Sequence, residues 1–461
     1  MTGRSRWAVL AAIQAGTVMG PLDASIVYIA LPRIAQDFKA DAAAVSWVSM
    51  AYLLIIGCFI LIYGRLGDLF GKRGVYLAGV GIFVLGSVGC GMAPNLYILI
   101  ASRAFQAIGA GMSVAIAPGI ITAVFPRGER GRALGLNAMV AAAGLSAGPA
   151  LGGFITQHFD WRLVFYINVP LGLLALLWGF LIIPSDEKRK REPFDWAGAF
   201  LIFLSLTSGL LLLTQGRKLY SVATEFLLCV LCLAGLYGFW IQERRSPYPM
   251  LDLGIFKERI FTAGNLAAFF NYMAQYVIVF TTTFFLQQRL GFGADKAGTA
   301  MTAFPLSVLA VAPVAGTVSD FIGSRSLAVV GSLCCAAGAG FLGFIPASAG
   351  AADIAWRLAV FGVGTGLFQS PNNSAVMGSV SRERLGIAGG VMAMSRSVGM
   401  TFGIAVAAVF TERQAELTVA GLTGTVCKEV YMIGAVLAAI GALVSATAPA
   451  RSREPGGVMK A

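Results

Sequence analysis

The sequence predicts an all-α polytopic membrane protein, with two six-helix bundles joined by two inserted helices and fourteen transmembrane helices in all. Three observations lead there. Hydrophobic types make up 57% of the 461 residues and charged types only 12%, about half the roughly 25% charge of a soluble domain. So long and apolar a chain cannot cover itself with polar surface, and it is too rich in Leu, Val, Ile and Phe for disorder. Apolar stretches of the length a bilayer requires, about 20 residues, follow one another with short connections. Finally, the chain repeats itself. Residues 64–73 read GRLGDLFGKR and residues 316–325 read GTVSDFIGSR, so that Gly64, Asp68, Gly71 and Arg73 recur as Gly316, Asp320, Gly323 and Arg325, 252 positions on. Gly148 and Gly152 recur as Gly399 and Gly403, 251 positions on. Two separate places giving nearly one offset mark an internal duplication.

The expected spans run over 7–31, 45–64, 75–93, 96–118, 131–157, 162–183, 194–215, 222–241, 260–287, 296–320, 326–347, 353–376, 386–411 and 427–448. The first apolar stretch, Trp7 to Leu31, is too long for a secretory h-region and lacks a small-residue cleavage site after it, so it reads as a span. Backbone groups cannot go unpaired in lipid, so spans of this length are helices. Six spans need about 190–200 residues at this spacing; the larger offset leaves room for two more, at 194–241. The expected division is therefore 1–185 for the first bundle, 186–245 for the two inserted helices and 246–461 for the second bundle. Paired halves of this kind characterise secondary transporters, with a substrate site between them near mid-membrane. The 57 glycines suit close helix packing.

The formal charge of +12 does not point to nucleic acid, because the basic residues come in short clusters between spans. About twice as many Lys and Arg fall on the side of the termini as on the other, including Lys72, Arg73, the run Lys188–Arg191, Arg244 and Arg245. That bias places both termini in the cytoplasm. The seven cysteines lie in or beside apolar stretches, which argues against a disulfide framework. Cys229 and Cys232 form a CxxC, but inside an apolar helix and without further ligands.

Asp23 is the only acid deep inside an expected span. A carboxylate in hydrocarbon must be paired, protonated or hydrated, and burial favours its neutral form. Pro21 should loosen the helix beside it. Arg103, in the fourth span, cannot give up its charge; Asp23 is the expected partner, directly or through Gln106. Arg396, in the thirteenth span, has no acid near it in sequence and reads as a structural residue or an anion contact. Gly64, Asp68, Gly71, Lys72 and Arg73 are expected to form a tight turn between the second and third spans, in which Asp68 caps a helix N-terminus and latches one face of the molecule; Asp320 repeats that aspartate. Gly135, Gly144, Gly148, Gly152 and Gly153, with Pro149 among them, give the fifth span a nearly bare face for backbone contact. Polar and aromatic residues cluster in the ninth span (Asn265, Asn271, Tyr272, Gln275, Tyr276) and the twelfth (Gln369, Asn372, Asn373). They are candidates for the substrate wall, with interhelical hydrogen bonding as the alternative. No GxxxxGK[ST] phosphate loop occurs, and the single histidine, His158, leaves no basis for a histidine metal site.

At these residues the chain resembles the major facilitator superfamily, and within it the fourteen-span drug:proton antiporter family of the EmrB/QacA type. LDASIVYIALP (22–32), GRLGDLFGKRGVYL (64–77), RAFQAIGAG (103–111) and the glycines from Gly135 to Gly153 are similar to that family's motifs, and FQSPNNSAVMG (368–378) adds to the likeness. The resemblance covers essentially the whole chain. Departures are Ala107 after Gln106, Leu69 after Asp68, and Tyr28 where the first-span motif usually has Asn; Tyr28 thereby joins the candidates for the cavity wall. The extra membrane acids of relatives that export divalent organic cations are absent from this sequence.

The resemblance implies a proton-coupled exporter of lipophilic drugs or toxic amphiphiles working by alternating access. Asp23 would carry the proton and Arg103 would tune it. It implies no cofactor beyond the proton gradient, no metal and no nucleic acid. The expected partners are protons, membrane lipid and a small amphiphilic substrate, and the expected assembly is a monomer in the cytoplasmic membrane of a bacterium. Export of a neutral lipid, fatty acid or secondary metabolite is the alternative. A polytopic membrane enzyme would need convergent acids or histidines that the sequence lacks.

Overall fold

The structure is a computed structural model that describes residues 3–126, 128–184, 195–219, 222–246, 253–346, 348–381, 384–419 and 426–449. The side chains of Asp68 and Asp320 and the run Lys188–Arg191 lie outside the described part, so the expected latch at those two aspartates does too. The described residues form helices, with no strand among them. Fourteen helices are long and apolar enough to cross a membrane. They are numbered here by span: α1 Arg6–Asp37, α2 Ala42–Gly67, α3 Lys72–Gly91, α4 Leu96–Val124, α5 Arg130–His158, α6 Leu163–Ile182, α7 Trp196–Leu213, α8 Val222–Arg245, α9 Arg259–Arg289, α10 Ala294–Ser319, α11 Ser324–Gly343, α12 Ala351–Gly378, α13 Leu385–Thr411 and α14 Lys428–Thr447. Every expected span is present. The largest differences are at the ends of α1 and α4, which run several residues past their apolar windows, because polar residues continue a helix as readily as apolar ones once it protrudes from the bilayer.

Two spans are broken, and for the same reason. α1 is interrupted at Val18 and α6 at Ile167. Pro21 and Pro170 follow three residues later. A proline cannot donate to the carbonyl four residues back and its ring crowds that carbonyl, here those of Thr17 and Tyr166, immediately before each break.

The packing repeats along the chain. α3 packs on α4 and α1 on both α5 and α6; in the second half α11 packs on α12 and α9 on both α13 and α14. Between the halves, α5 lies along α10 and α2 along α13, the same pairing generated by exchanging the halves. α7 and α8 pack on each other, and α7 also touches α2 and α13 at the seam.

The two copies of the repeat adopt one geometry. Gly71 has φ 90° and ψ 134°, and Gly323 has φ 91° and ψ 139°, a region open only to glycine without strain. Each starts a new helix directly after the old one ends. Arg73 then donates to the Phe180 carbonyl at 2.6 Å, in the last turn of α6, and Arg325 donates to the Ala446 carbonyl, in the last turn of α14. Both cations sit where the helix dipole is negative. Gly64 does not belong to the turn: the helix continues through it to Phe70, and only Gly71 reverses the chain.

Candidate functional site

Asp23 and Arg103 meet in the interior of the first half. Both are essentially fully buried. Arg103 Nη1 lies 2.6 Å from Asp23 Oδ2. The other carboxylate oxygen, Oδ1, accepts from Gln106 Nε2 at 3.1 Å and from Asn168 Nδ2 at 2.8 Å. Arg103 in turn donates from Nε to the Val48 carbonyl at 3.2 Å and from Nη1 to Gln106 Oε1. Its guanidinium carbon stands 4.2 Å from the centroid of the Tyr52 ring. Gln106 Nε2 also reaches Ser87 Oγ at 2.7 Å. The carboxylate on α1 is thus met by α4 and α6, α3 joins the network through Ser87, and α2 supplies Val48 and Tyr52 around the cation. Excluding water raises the worth of each of these contacts and the cost of losing one.

The breaks in α1 and α6 flank this cluster, with Asp23 five residues after one and Asn168 directly after the other. Asn168 escapes sequence reading because it comes from a different helix, far along the chain. Its only sequence signal is a polar residue ahead of a proline inside an apolar span.

A cleft opens between the halves. Of the candidates for a substrate wall, Tyr28, Gln275 and Tyr276 line it; Ser25, Leu145, Pro149, Met301, Phe304 and Leu358 also form its wall. The Tyr28 and Tyr276 rings pack edge to face across the seam, 5.5 Å apart. Gln369 reaches Gln275 Oε1 at 3.3 Å. Tyr272 is buried beside Arg396. Neither Gln369 nor Tyr272 is itself a wall residue, and four further candidates do not reach the cavity either. Asn265 donates to the Phe261 carbonyl of its own helix, Asn271 to Cys335 Sγ at 3.7 Å and Asn372 to the Gly264 carbonyl at 3.1 Å, and Asn373 is exposed away from the cavity wall. For the first three, interhelical and intrahelical bonding wins over a substrate role.

The glycines of α5 do not form one bare face. A Cβ at Gly148 would lie 1.7 Å from Ser25 Oγ and one at Gly152 2.6 Å from the Ile26 carbonyl oxygen; Gly144 faces Val18 likewise. These three seat α5 on α1. Gly153 faces the other way, where a Cβ would lie 2.3 Å from the Ala294 carbonyl oxygen, and the Pro149 carbonyl meets Gly298. Those contacts cross the seam to α10. Gly135 touches nothing within 4 Å. Lys72 donates to the Gly119 carbonyl at 3.4 Å.

The Major Facilitator Superfamily model matches residues 15–404, and again 264–457. The chain belongs to the major facilitator superfamily. It is a membrane transporter. This superfamily member is 34% identical over 409 residues to a riboflavin transporter, RibZ, of Clostridioides difficile, covering 87% of each chain. It is 30% identical over 406 residues to the multidrug resistance protein Stp of Mycobacterium tuberculosis, covering 87% of this chain and 75% of Stp. A POT family transporter solved with a thioalcohol-conjugated peptide superposes with a TM-score of 0.70 over 96% of this chain and 95% of that one, at 15% identity, and so shares its fold.

Proposed function

We propose that this facilitator is a proton-coupled exporter of lipophilic or amphiphilic molecules, in which Asp23 carries the proton and Arg103 tunes it. The buried Asp23–Arg103 pair with its two amide donors supports this reading above all else. A proton reaching Asp23 cancels the charge that Arg103 faces. Gln106 and the Val48 carbonyl continue to hold the guanidinium, while its tie to α1 weakens. The helices that meet at the carboxylate are then free to change their packing. Tyr28, five residues further along α1, carries that change to the cavity wall and to Tyr276 across the seam. The two halves, residues 1–185 and 246–461, would rock about the seam, with α7 and α8 covering its edge.

The multidrug and tetracenomycin C exporters among the relatives support an amphiphilic cargo. The twofold excess of Lys and Arg on the terminal side supports cytoplasmic termini, and the bacterial relatives support the cytoplasmic membrane of a bacterium. A monomer surrounded by lipid is sufficient, since the cavity lies within one chain. A secondary metabolite as cargo is favoured by one further observation: among the described residues, no carboxylate lines the cavity to attract a cationic drug.

The test is Asp23→Asn in proteoliposomes carrying an imposed proton gradient. Gradient-driven efflux and substrate-induced proton release are expected to vanish while equilibrium binding of the cargo persists. Full gradient-driven efflux by the variant would refute the coupling role.

A further inference from the structure

Arg396 differs from every other intramembrane charge in the described structure. It lies mid-way along α13, half-buried, beside the Tyr272 hydroxyl and close enough to Tyr276 for its charge to act there. Tyr276 is part of the cavity wall. The neighbouring residue, Ser397, abuts Gly57 of α2, so this stretch of α13 faces the seam between the halves. Among the described residues no carboxylate lies within ion-pair distance of Arg396. The described acids of the second half, Glu258, Asp295, Asp353 and Glu429, all sit at helix ends. A guanidinium keeps its charge, and in a membrane interior it requires a compensating partner or water. Arg103 has such a partner in Asp23; among the described residues Arg396 has tyrosines beside it and no acid.

We propose that Arg396 is an anion-selecting subsite of the central cavity, and that the cargo is an amphiphile with one carboxylate or comparable oxyanion attached to an aromatic or apolar body. The inference rests on the exporter reading for the word cargo, but not for the binding itself. The guanidinium supplies a fork that matches a carboxylate, with the Tyr272 hydroxyl next to it as a further donor. Gln275 adds a neutral amide to the same wall, and Gln369 donates to it at 3.3 Å from outside the lining. The rest of the wall, Tyr28, Tyr276, Met301 and Phe304, suits an apolar or aromatic body. With no wall carboxylate, a cationic analogue would face Arg396 unscreened, so the same residue excludes as well as attracts.

Equilibrium binding to the purified full chain, without any gradient, tests this with three probes that share one ring system: 1-naphthaleneacetate, 1-naphthaleneacetamide and 1-naphthylethylammonium. The acetate is expected to bind roughly tenfold or more tighter than the amide, the strength of a hydrogen bond to a charged group, and the ammonium weakest. Arg396→Gln is expected to remove the preference for the acetate while leaving amide affinity unchanged, and Arg396→Lys to retain part of it. Equal affinity for all three probes, a preference for the amide or the cation, no binding by any of them, or a uniform loss in Arg396→Gln would each overturn the proposal. Should Arg396→Gln not fold, the order of the probes on the unmodified protein still decides. Since no proton gradient enters the measurement, loss of coupling and loss of anion selection are read separately.

Discussion

The two halves of the molecule share a scaffold and differ in what fills it. Gly79 and Gly86 of α3 press on the backbone of α4 at Gly109 and Gln106, and Gly331 and Gly338 of α11 press on α12 at Gly364 and Phe361. Gly152 seats α5 on α1 at the Ile26 carbonyl, as Gly403 seats α13 on α9 at the Met273 carbonyl. By that register Phe270, Leu358 and Phe361 in the second half stand where Asp23, Arg103 and Gln106 stand in the first. Leu358 and Phe361 are buried and Phe270 packs against the second half's core. The same helix packing therefore forms around an ionic network on one side and around hydrocarbon on the other. A buried ion pair is often no more stabilising than a well-packed apolar substitute, and here the fold contains both solutions. Packing alone does not explain why the first half keeps the costly one. The proton-carrying role proposed for Asp23 would.

The sharpest way to break this comparison is to give the first half the second half's residues. Asp23→Phe, Arg103→Leu and Gln106→Phe together are expected to yield a folded, monodisperse protein with no gradient-driven transport. Arg103→Leu alone, which strands the carboxylate, is expected to cost about 3–5 kcal/mol of stability. Thermal unfolding in detergent compares the two. A triple variant less stable than the single one would mean that the ionic network is structural after all.

How much of this was legible in the sequence follows from what each signal depends on. Span number and order depend on apolar run length, a local property, and all fourteen are where they were expected. The duplication is legible because close helix contacts demand glycine at fixed positions, so the repeat survives while its surroundings diverge. The direction a polar side chain takes inside a span is not local. Asn271 and Gln275 are one helical turn apart, yet the first reaches Cys335 between helices and the second faces the cavity. Only the neighbouring helix decides between them. Asn168 is hidden for the same reason, since nothing near it in the chain announces an acid on α1. The α5 glycines read as one face because spacing reveals a bare surface without naming its partner. Two partners, α1 and α10, share it.

Those glycines give a smaller, more local test. Gly148→Ala would push a Cβ to 1.7 Å from Ser25 Oγ, and overpacking of this kind costs about 1–3 kcal/mol. Gly403→Ala, against the Met273 carbonyl at 2.4 Å, is expected to cost a comparable amount if the halves are built alike. Gly135→Ala, with open space around it, should be neutral or slightly stabilising, because alanine favours the helix. Unfolding temperatures of the three variants check the ranking. A destabilising Gly135→Ala would mean that the site meets a neighbour in another conformation of the transport cycle.

The smallest expected effect concerns the pair of arginines after the two turns. Arg73 and Arg325 each donate to a carbonyl in the closing turn of the sixth helix of their own half. Both bonds lie at the exposed surface, so each interaction should contribute only about 0.3–1 kcal/mol, and Arg73→Ala and Arg325→Ala should lower stability equally and modestly. Arg73 has an additional contact, its guanidinium carbon lying 5.4 Å from the Phe180 ring centroid, which adds little at an exposed position. Transport separates the two where stability does not. If these residues only fasten helix ends, both variants keep their efflux rate once expression is matched. A selective loss of efflux in Arg73→Ala would show that the turn after α2 acts on the gate and its copy after α10 does not. The asymmetry already present at Asp23 and Phe270 would then extend to the membrane surface.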